Sequence, residues 1–514
     1  MKTIPEYGKQ FDEVLAELDG FKTGDPDYKS AKTWSLVYYK NEEYTHFLAE
    51  AYEKFMSANG LNPTAFKSLK KFENDIVAFT AELLHADGEP AGCVTSCGTE
   101  SCMLAVKTYR DYAKLKKHIR HPEMIVAETA HVAWFKGAEY FGVKVHVVPV
   151  DENYQIDLAK VKKHINHNTI MLLGGAPEYP HGIIDPITEL GQLGLKYDIP
   201  VHVDACVGGY LLPFMEQAGA SLPLFDFRVP GVTSMSADIH KYGFASKGCS
   251  CILYKNVELF RCQCFAHHNW PGGVFASPAF LGTRPGGAYA AAWAAIQANG
   301  RTGYVEMAKK TMENADRIRE GIKAIPELEI IGNPVCSLVS YRSKDPANCN
   351  IFAVGDKMQE KGWHIDRLQH PDALHAMITC SHENMIDEYL SDLKEAVEAV
   401  KGHPELAFKN DAATYSVVGH LPLDGTVKKT VLDVFVNGYV VGKGDIDLAG
   451  GSSVTGNEKI DGIINKMILA DMAKPGLLRK AVTAAKVTAV GSGIAAAGAA
   501  AGAAAAAAYK KLKK

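Results

Sequence analysis

"TIMLLGGAPEYPHGIIDPITELGQLGLKYDIPVHVDACVGG", residues 169–209, sets two short apolar runs, TIMLLGGAP and PVHVDACVGG, on either side of a helical stretch, DPITELGQLGLKYD. Strand, helix, strand at this spacing reads as a unit of a parallel sheet with its helix packed on one face. The rhythm starts near residue 91 and continues outward in both directions. Before the quoted stretch it runs through ESCMLAVKTYRDYAKLK (100–116), MIVAE (124–128) and VKVHVVPV (143–150), and after it through GVTSMSAD (231–238) and SCILYKN (250–256). The expected fold class is therefore α/β, a mostly parallel, doubly wound sheet with helices on both faces.

Two amphipathic helical patterns precede the sheet, over 41–58 and 64–86, with Phe47, Leu48, Ala51, Tyr52, Phe55 and Met56 on one face of the first. After 300–325 the pattern loosens into mixed strand and helix, as expected of a second α+β domain. The chain thus divides into an N-terminal helical segment (1–60), a large domain (61–305), a smaller C-terminal domain (306–475) and a basic, Ala/Gly-rich tail (476–514). A chain of 514 residues is too long for one small core, and 47% hydrophobic with 22% charged residues is ordinary globular composition. A net charge of −4 gives no reason to expect a polyanionic partner, so nucleic acid is not the expected ligand. The 11 cysteines are scattered without paired zinc-type spacing, which points to free thiols in a reducing, cytoplasmic compartment and to no metal. The polar, acidic N-terminus does not read as a secretory signal or a membrane span.

In an open parallel sheet, ligands bind beyond the carboxyl ends of the strands. Four places there carry chemistry. TSCGTES (95–101) leads into a helix; Ser96, Cys97, Gly98 and Thr99 are small enough for backbone N–H groups to approach an anion, although a plain helix N-cap is the alternative. Asp204 closes an apolar strand and needs a cation or donor. His131 follows the strand at 124–128, where an imidazole can stack on a planar ligand. His240 and Lys241, in SADIHKYGFASKG (236–248), follow the strand at 231–238. A His-Lys pair occurs about once by chance in such a chain and means little alone. Together and in this order, an anion cup, a stacking histidine, a strand-end aspartate and a lysine on a later strand are what pyridoxal 5′-phosphate requires. Lys241 acts as the imine-forming nucleophile if burial and nearby cations, His240 and Lys247, lower its pKa.

The segments CVTSCGTESCMLAVKTYRD, TAHVAWFKGAEYFGVKV, FDFRVPGVTSMSADIHKYGFASKGCSCILYKN and NWPGGVFASPAFLGTRPGGAYAAAWAA resemble the sphingosine-1-phosphate lyases, within the fold-type-I, group II pyridoxal-phosphate decarboxylase-like enzymes. The likeness runs from about residue 34 to about residue 400. It implies a transferase-like, mostly parallel seven-stranded sheet sandwiched by helices, and retro-aldol cleavage of a phosphorylated long-chain base to a long-chain aldehyde and phosphoethanolamine. It further implies that Lys241 carries the cofactor, Asp204 meets its ring nitrogen, and His131 covers its ring. Gly98 and Thr99 of the cup, with His240 and Ser236, would surround its phosphate. Lys247, Tyr179 and Tyr38 match the family's substrate-phosphate positions, and Asn62 stands where the family has a histidine. A homodimer is implied, with Tyr38 and Asn62 reaching the partner's cofactor. Cys97 replaces a glycine of the cup, Ser246 a proline, and Cys249 a serine.

The sink does not choose the reaction, so an amino-acid decarboxylase is the alternative; it needs an arginine for the substrate carboxylate, and Arg284 in GTRPGG is available. A non-catalytic scaffold is the third reading. In the tail, residues 487–509 are wholly uncharged between flanking lysines. As a helix they would extend about 34 Å, enough to cross a bilayer, yet Ala and Gly are weakly hydrophobic. The expectation there is a low-complexity tail, with weak membrane association as its functional alternative.

Overall fold

The computed structural model describes residues 3–420, 424–442, 458–474, 476–478 and 480; the stretch 487–509 lies outside them. Seven strands build the main sheet: β1 (Ala91–Thr95), β2 (Glu123–Ala127), β3 (Lys144–Val148), β4 (Thr169–Gly175), β5 (Val201–Asp204), β6 (Val232–Ala237) and β7 (Ser250–Tyr254). Their spatial order is β1-β7-β6-β5-β4-β2-β3. Pairings from β3 through β6 are parallel, whereas β7 is antiparallel to both β6 and β1. Alternate residues of each strand enter opposite cores, as the pleat requires. Ile125, Leu172 and Val203 join one cluster, and Met124, Val126, Met171 and Ile252 the other.

The sheet's register brings the site together. Gly175, Asp204 and Ser236 are successive partners at the carboxyl ends of β4, β5 and β6. Because β7 runs back along β6, the connection 238–249 must turn over that same end. Lys241, expected on a strand, lies in this turn, since β6 stops at Ala237. The loop's apolar Tyr242 and Phe244 are buried.

A short hairpin, β8 (Phe265–His267) and β9 (Phe275–Ser277), precedes the long helix Gly286–Lys323. That helix crosses the expected boundary at 305/306 without a break in the chain and bends at Gly300, where φ 56° with ψ 179° suits glycine alone. Tyr289, Ala292 and Ala295 pack in the main core, and Ala315, Ile318 and Ile322 in a second one. The second core covers a four-stranded antiparallel sheet ordered β10 (Leu328–Ile330), β11 (Leu338–Ser343), β13 (Ala373–Met377), β12 (Asp366–Leu368). Trp34, from the N-terminal segment, completes it by stacking on Tyr389 with ring centroids 3.9 Å apart. Among the described residues, no helix is long and apolar enough to cross a membrane.

Candidate active site

A cavity of about 230 Å³ opens at the carboxyl ends of β4, β5 and β6. Its floor begins where β1 ends. The helix Gly98–Lys116 starts with Cys97 as its N-cap, and no side chain caps it, so the first-turn N–H groups are left for a ligand. Ser96 does not cap either: its hydroxyl and its N–H both bond Glu100 Oε2 at 2.7 Å, away from the cavity, which Cys97, Gly98 and Thr99 line. A Cβ at position 98 would lie 2.7 Å from Asp238 Oδ2 and 2.9 Å from Cys206 Sγ, so only glycine lets the helix start this close to the loop.

Asp204 sits at the end of β5. Trp134 Nε1 donates to its Oδ2 at 2.8 Å, and the Cys206 N–H donates to its Oδ1 at 3.1 Å. Burial pushes this carboxyl up, but the Trp134 and Cys206 donors outweigh it and hold it below the usual range. His131 caps the helix Val132–Phe141 by accepting the Ala133 N–H on Nδ1 at 3.2 Å, and burial lowers its pKa. The ring is therefore neutral, with its proton on Nε2.

Lys241 Nζ lies 3.0 Å from Asp238 Oδ2. Burial alone would lower its pKa, yet Asp238 raises it well above the ordinary value. This corrects the expectation that neighbouring cations depress it. His240 is itself kept neutral by burial, with Nδ1 donating to the Cys249 carbonyl at 2.6 Å. The depressed lysine is Lys247, pushed down to about 8 by burial and by Lys241. Asp238 is also the group sequence reasoning missed: it stands three residues before Lys241, and its Oδ1 is buried without a hydrogen-bond partner. A cavity with an uncapped helix start and a lysine on its wall fits a phosphorylated, electrophilic ligand, against which the Asp238 carboxylate must be offset by a cation.

The remaining expected residues divide. Tyr179 lines the cavity, its hydroxyl donating to Asp366 Oδ2 at 2.6 Å while its ring stacks on His375 at 4.6 Å. Tyr38 lies beside its own chain's loop: Lys247 Nζ sits 5.0 Å above its ring and donates to the Leu36 carbonyl at 2.8 Å. Ser236 is not at the cup. It lies under Asp204, 3.4 Å from Oδ1 and 3.2 Å from His202 Nε2, where β5–β6 register puts it. Asn62 is exposed and accepts from Thr64 N–H at 3.0 Å in a local turn, so a single chain does not bring it to the cavity. Arg284 is engaged elsewhere: Nη1 pairs with Glu73 Oε1 at 2.7 Å and Nη2 donates to the Gly60 carbonyl at 3.0 Å. No arginine is among the residues lining the cavity.

Residues 33–344 match the family model described as the pyridoxal-dependent decarboxylase conserved domain. The chain is 43% identical over 434 residues to sphingosine-1-phosphate lyase of Arabidopsis thaliana, covering 83% of this chain and 79% of that protein. It is 39% identical over 440 residues to sphingosine-1-phosphate lyase 1 of Rattus norvegicus, with 85% and 77% covered. Among solved structures, a sphingosine-1-phosphate lyase from Burkholderia pseudomallei superimposes with a TM-score of 0.77 at 35% identity, covering 85% of this chain and 97% of that one. A glutamate decarboxylase from Lactobacillus brevis, at 20% identity and a TM-score of 0.69, shares the fold.

Proposed function

The chain belongs to the pyridoxal-dependent decarboxylase family and, within it, to the sphingosine-1-phosphate lyases, and we propose from this how its residues cleave a phosphorylated sphingoid base to a long-chain aldehyde and phosphoethanolamine. It is a pyridoxal-phosphate-dependent lyase of sphingolipid metabolism. The observation that carries the residue assignment is the convergence of Lys241, Asp204, His131 and the uncapped Gly98–Thr99 helix start on one cavity.

When bound, pyridoxal phosphate supplies the electron sink for the bond broken beside the substrate amine. Gly98, Thr99 and His240 would hold its phosphate, and Lys241 Nζ would hold its aldehyde carbon. Nζ would do so only as the free amine, and Asp238, 3.0 Å away, is placed to stabilise the proton it gives up. Asp204, ionised by its donors, keeps a proton on the ring nitrogen, while neutral His131 covers the ring without adding charge. Cleavage breaks the substrate's C2–C3 bond, removes the 3-hydroxyl proton and returns one proton to C2. Lys247, Tyr38 and Tyr179 grip the substrate phosphate and orient that bond. A phosphate dianion offers no proton, so Tyr179 must release Asp366 to donate to it. With Arg284 buried against Glu73, the amino-acid decarboxylase reading loses its carboxylate anchor.

The active unit is a homodimer in the cytoplasm. The helix Phe11–Phe21 buries no residue in its own chain and exposes Phe11, Leu15, Leu18 and Phe21, an apolar stripe that a second copy would cover. Asn62 then faces the partner's cavity, and Tyr38 serves its own. The test is to incubate the purified protein with pyridoxal phosphate and a phosphorylated sphingoid base. Long-chain aldehyde should form, and should vanish with Lys241→Ala; equal turnover by that variant would refute the assignment.

A further inference from the structure

Two thiols flank Asp204. Cys102 lies one turn into the helix Gly98–Lys116, and Cys206 two residues beyond β5; both are buried and both line the cavity. Cys102 Sγ is 3.8 Å from Asp204 Oδ2, and Cys206 Sγ is 3.3 Å from Ser236 Oγ. The two sulfurs and the nearest carboxylate oxygen all lie within 4.8 Å of one another. We propose that Cys102, Asp204 and Cys206 form a binding site for a thiophilic divalent cation, of the zinc and cadmium class, in the cofactor-free protein, and that the cation and pyridoxal phosphate exclude each other.

The chemistry of the donor set fits. Zinc binds thiolate sulfur at about 2.3 Å and carboxylate oxygen at about 2.0–2.2 Å, which places tetrahedral donors roughly 3.5–3.8 Å apart. The observed spread needs inward motion of roughly an ångström, within reach of side-chain rotation. Both thiols give their protons to solvent as the metal–sulfur bonds form, so the site becomes two thiolates and a carboxylate around one dication. Solvent in the cavity supplies the fourth ligand. Exclusion follows from Asp204: the oxygen that would hold the cation belongs to the carboxylate assigned to the ring nitrogen, and that part of the inference rests on the assignment above. Zinc-type spacing is absent from the sequence because the donors come from positions 102, 204 and 206 and meet only through the sheet.

The test is a cadmium titration followed by thiolate-to-metal charge-transfer absorption in the ultraviolet. The apoprotein should take up one equivalent more than the cofactor-loaded protein. Cys102→Ser should lose that extra equivalent, or bind it at least tenfold more weakly, whereas Cys264→Ser, which alters an exposed thiol elsewhere, should keep it. Equal uptake by apo and loaded protein, or full uptake by Cys102→Ser, overturns the proposal. Should Cys102→Ser prove unfolded by circular dichroism, the wild type still decides. Cadmium-loaded apoprotein should bind pyridoxal phosphate at least tenfold more slowly, with EDTA restoring the rate; an unchanged rate overturns the proposal. If pyridoxal phosphate fails to bind at all, the lyase assignment falls, and the comparison of wild-type and Cys102→Ser apoprotein still tests the metal site.

Discussion

Replacing Arg284 with Met separates the lyase from the decarboxylase reading. The guanidinium is almost fully buried and makes three bonds: to Glu73 Oε1 at 2.7 Å, to the Tyr289 hydroxyl at 2.9 Å and to the Gly60 carbonyl at 3.0 Å. Glu73 also accepts from the Val94 N–H on β1, at 3.3 Å, so the pair ties the helix Lys67–Leu83 to the strand that leads into the cup. Removing one partner of a buried ion pair costs about 3–5 kcal/mol, and Lys70 Nζ, which stays 3.2 Å from Glu73 Oε2, holds the loss toward the lower figure. At about 1.4 kcal/mol per decade, that is roughly 10²–10⁴ in the unfolding equilibrium. Restoring neutrality with Glu73→Gln in the same chain should recover part of the loss, since part of the penalty lies in a buried carboxylate that keeps only Lys70 as its cation. The assay is a double-mutant cycle on urea denaturation midpoints, paired with KM for the phosphorylated base on the folded fraction. The reasoning fails if Arg284→Met unfolds at the wild-type urea concentration while KM rises tenfold or more, because that result would place the guanidinium on substrate.

Three other outcomes follow from the geometry. Lys247 is pushed down to about 8, so its ammonium is present below that pH and lost above it; KM for the phosphorylated base should climb as pH rises through 8, and in Lys247→Met KM should be at least tenfold higher and lack that rise. His420 bridges Asp372 and Asp471 at 2.8 Å each and is raised to about 9 by them. A raised histidine stabilises fully below its unfolded value of about 6.5 and loses that stabilisation as pH rises through 9, so proteolysis of the segment after 420 should accelerate across that window in wild type and be pH-independent in His420→Gln. Phe11→Asp combined with Leu18→Asp should convert dimers to monomers in sedimentation; an unchanged mass would remove this helix from the interface.

Six strands of the main sheet were legible in sequence as short apolar-rich runs between helical stretches; β2, β4, β5, β6 and β7 are largely buried, whereas the edge strand β3 leaves Val147 exposed. β1 was not picked out: AGCVT is five small residues, and its strand character comes from pairing with β7. The small-domain strands β10 and β12 have three residues each, too few to show a period. Asp204, His131, Gly98, Thr99 and Lys241, which line one cavity, were legible as candidates because each stands at or just after a strand end or at a helix start, where local sequence reports position. Ser236 was misplaced for the complementary reason: which way a side chain leaves its strand is set by register and by neighbours that local sequence does not show.

Asp238 shows where such reading stops. A carboxylate in a loop has no local signature of burial in sequence. Two non-local facts give it weight. The reversal of β7 folds the loop back over β6, and Gly98 leaves no side chain between the loop and the helix start. The carboxylate then lies where Lys241 and any bound phosphate must both be held, one opposite in charge and one alike. A like charge at the floor of an anion cup costs binding energy unless a cation offsets it, and Lys241 Nζ at 3.0 Å is that cation in the cofactor-free protein. Once Nζ is committed to the cofactor's carbon, Asp238 loses its full ammonium partner, so Asp238→Asn should bind pyridoxal phosphate more tightly while slowing the step in which Lys241 gives up its proton. A variant that weakened cofactor affinity and left that step unchanged would show that the carboxylate positions the loop and does not manage its charge.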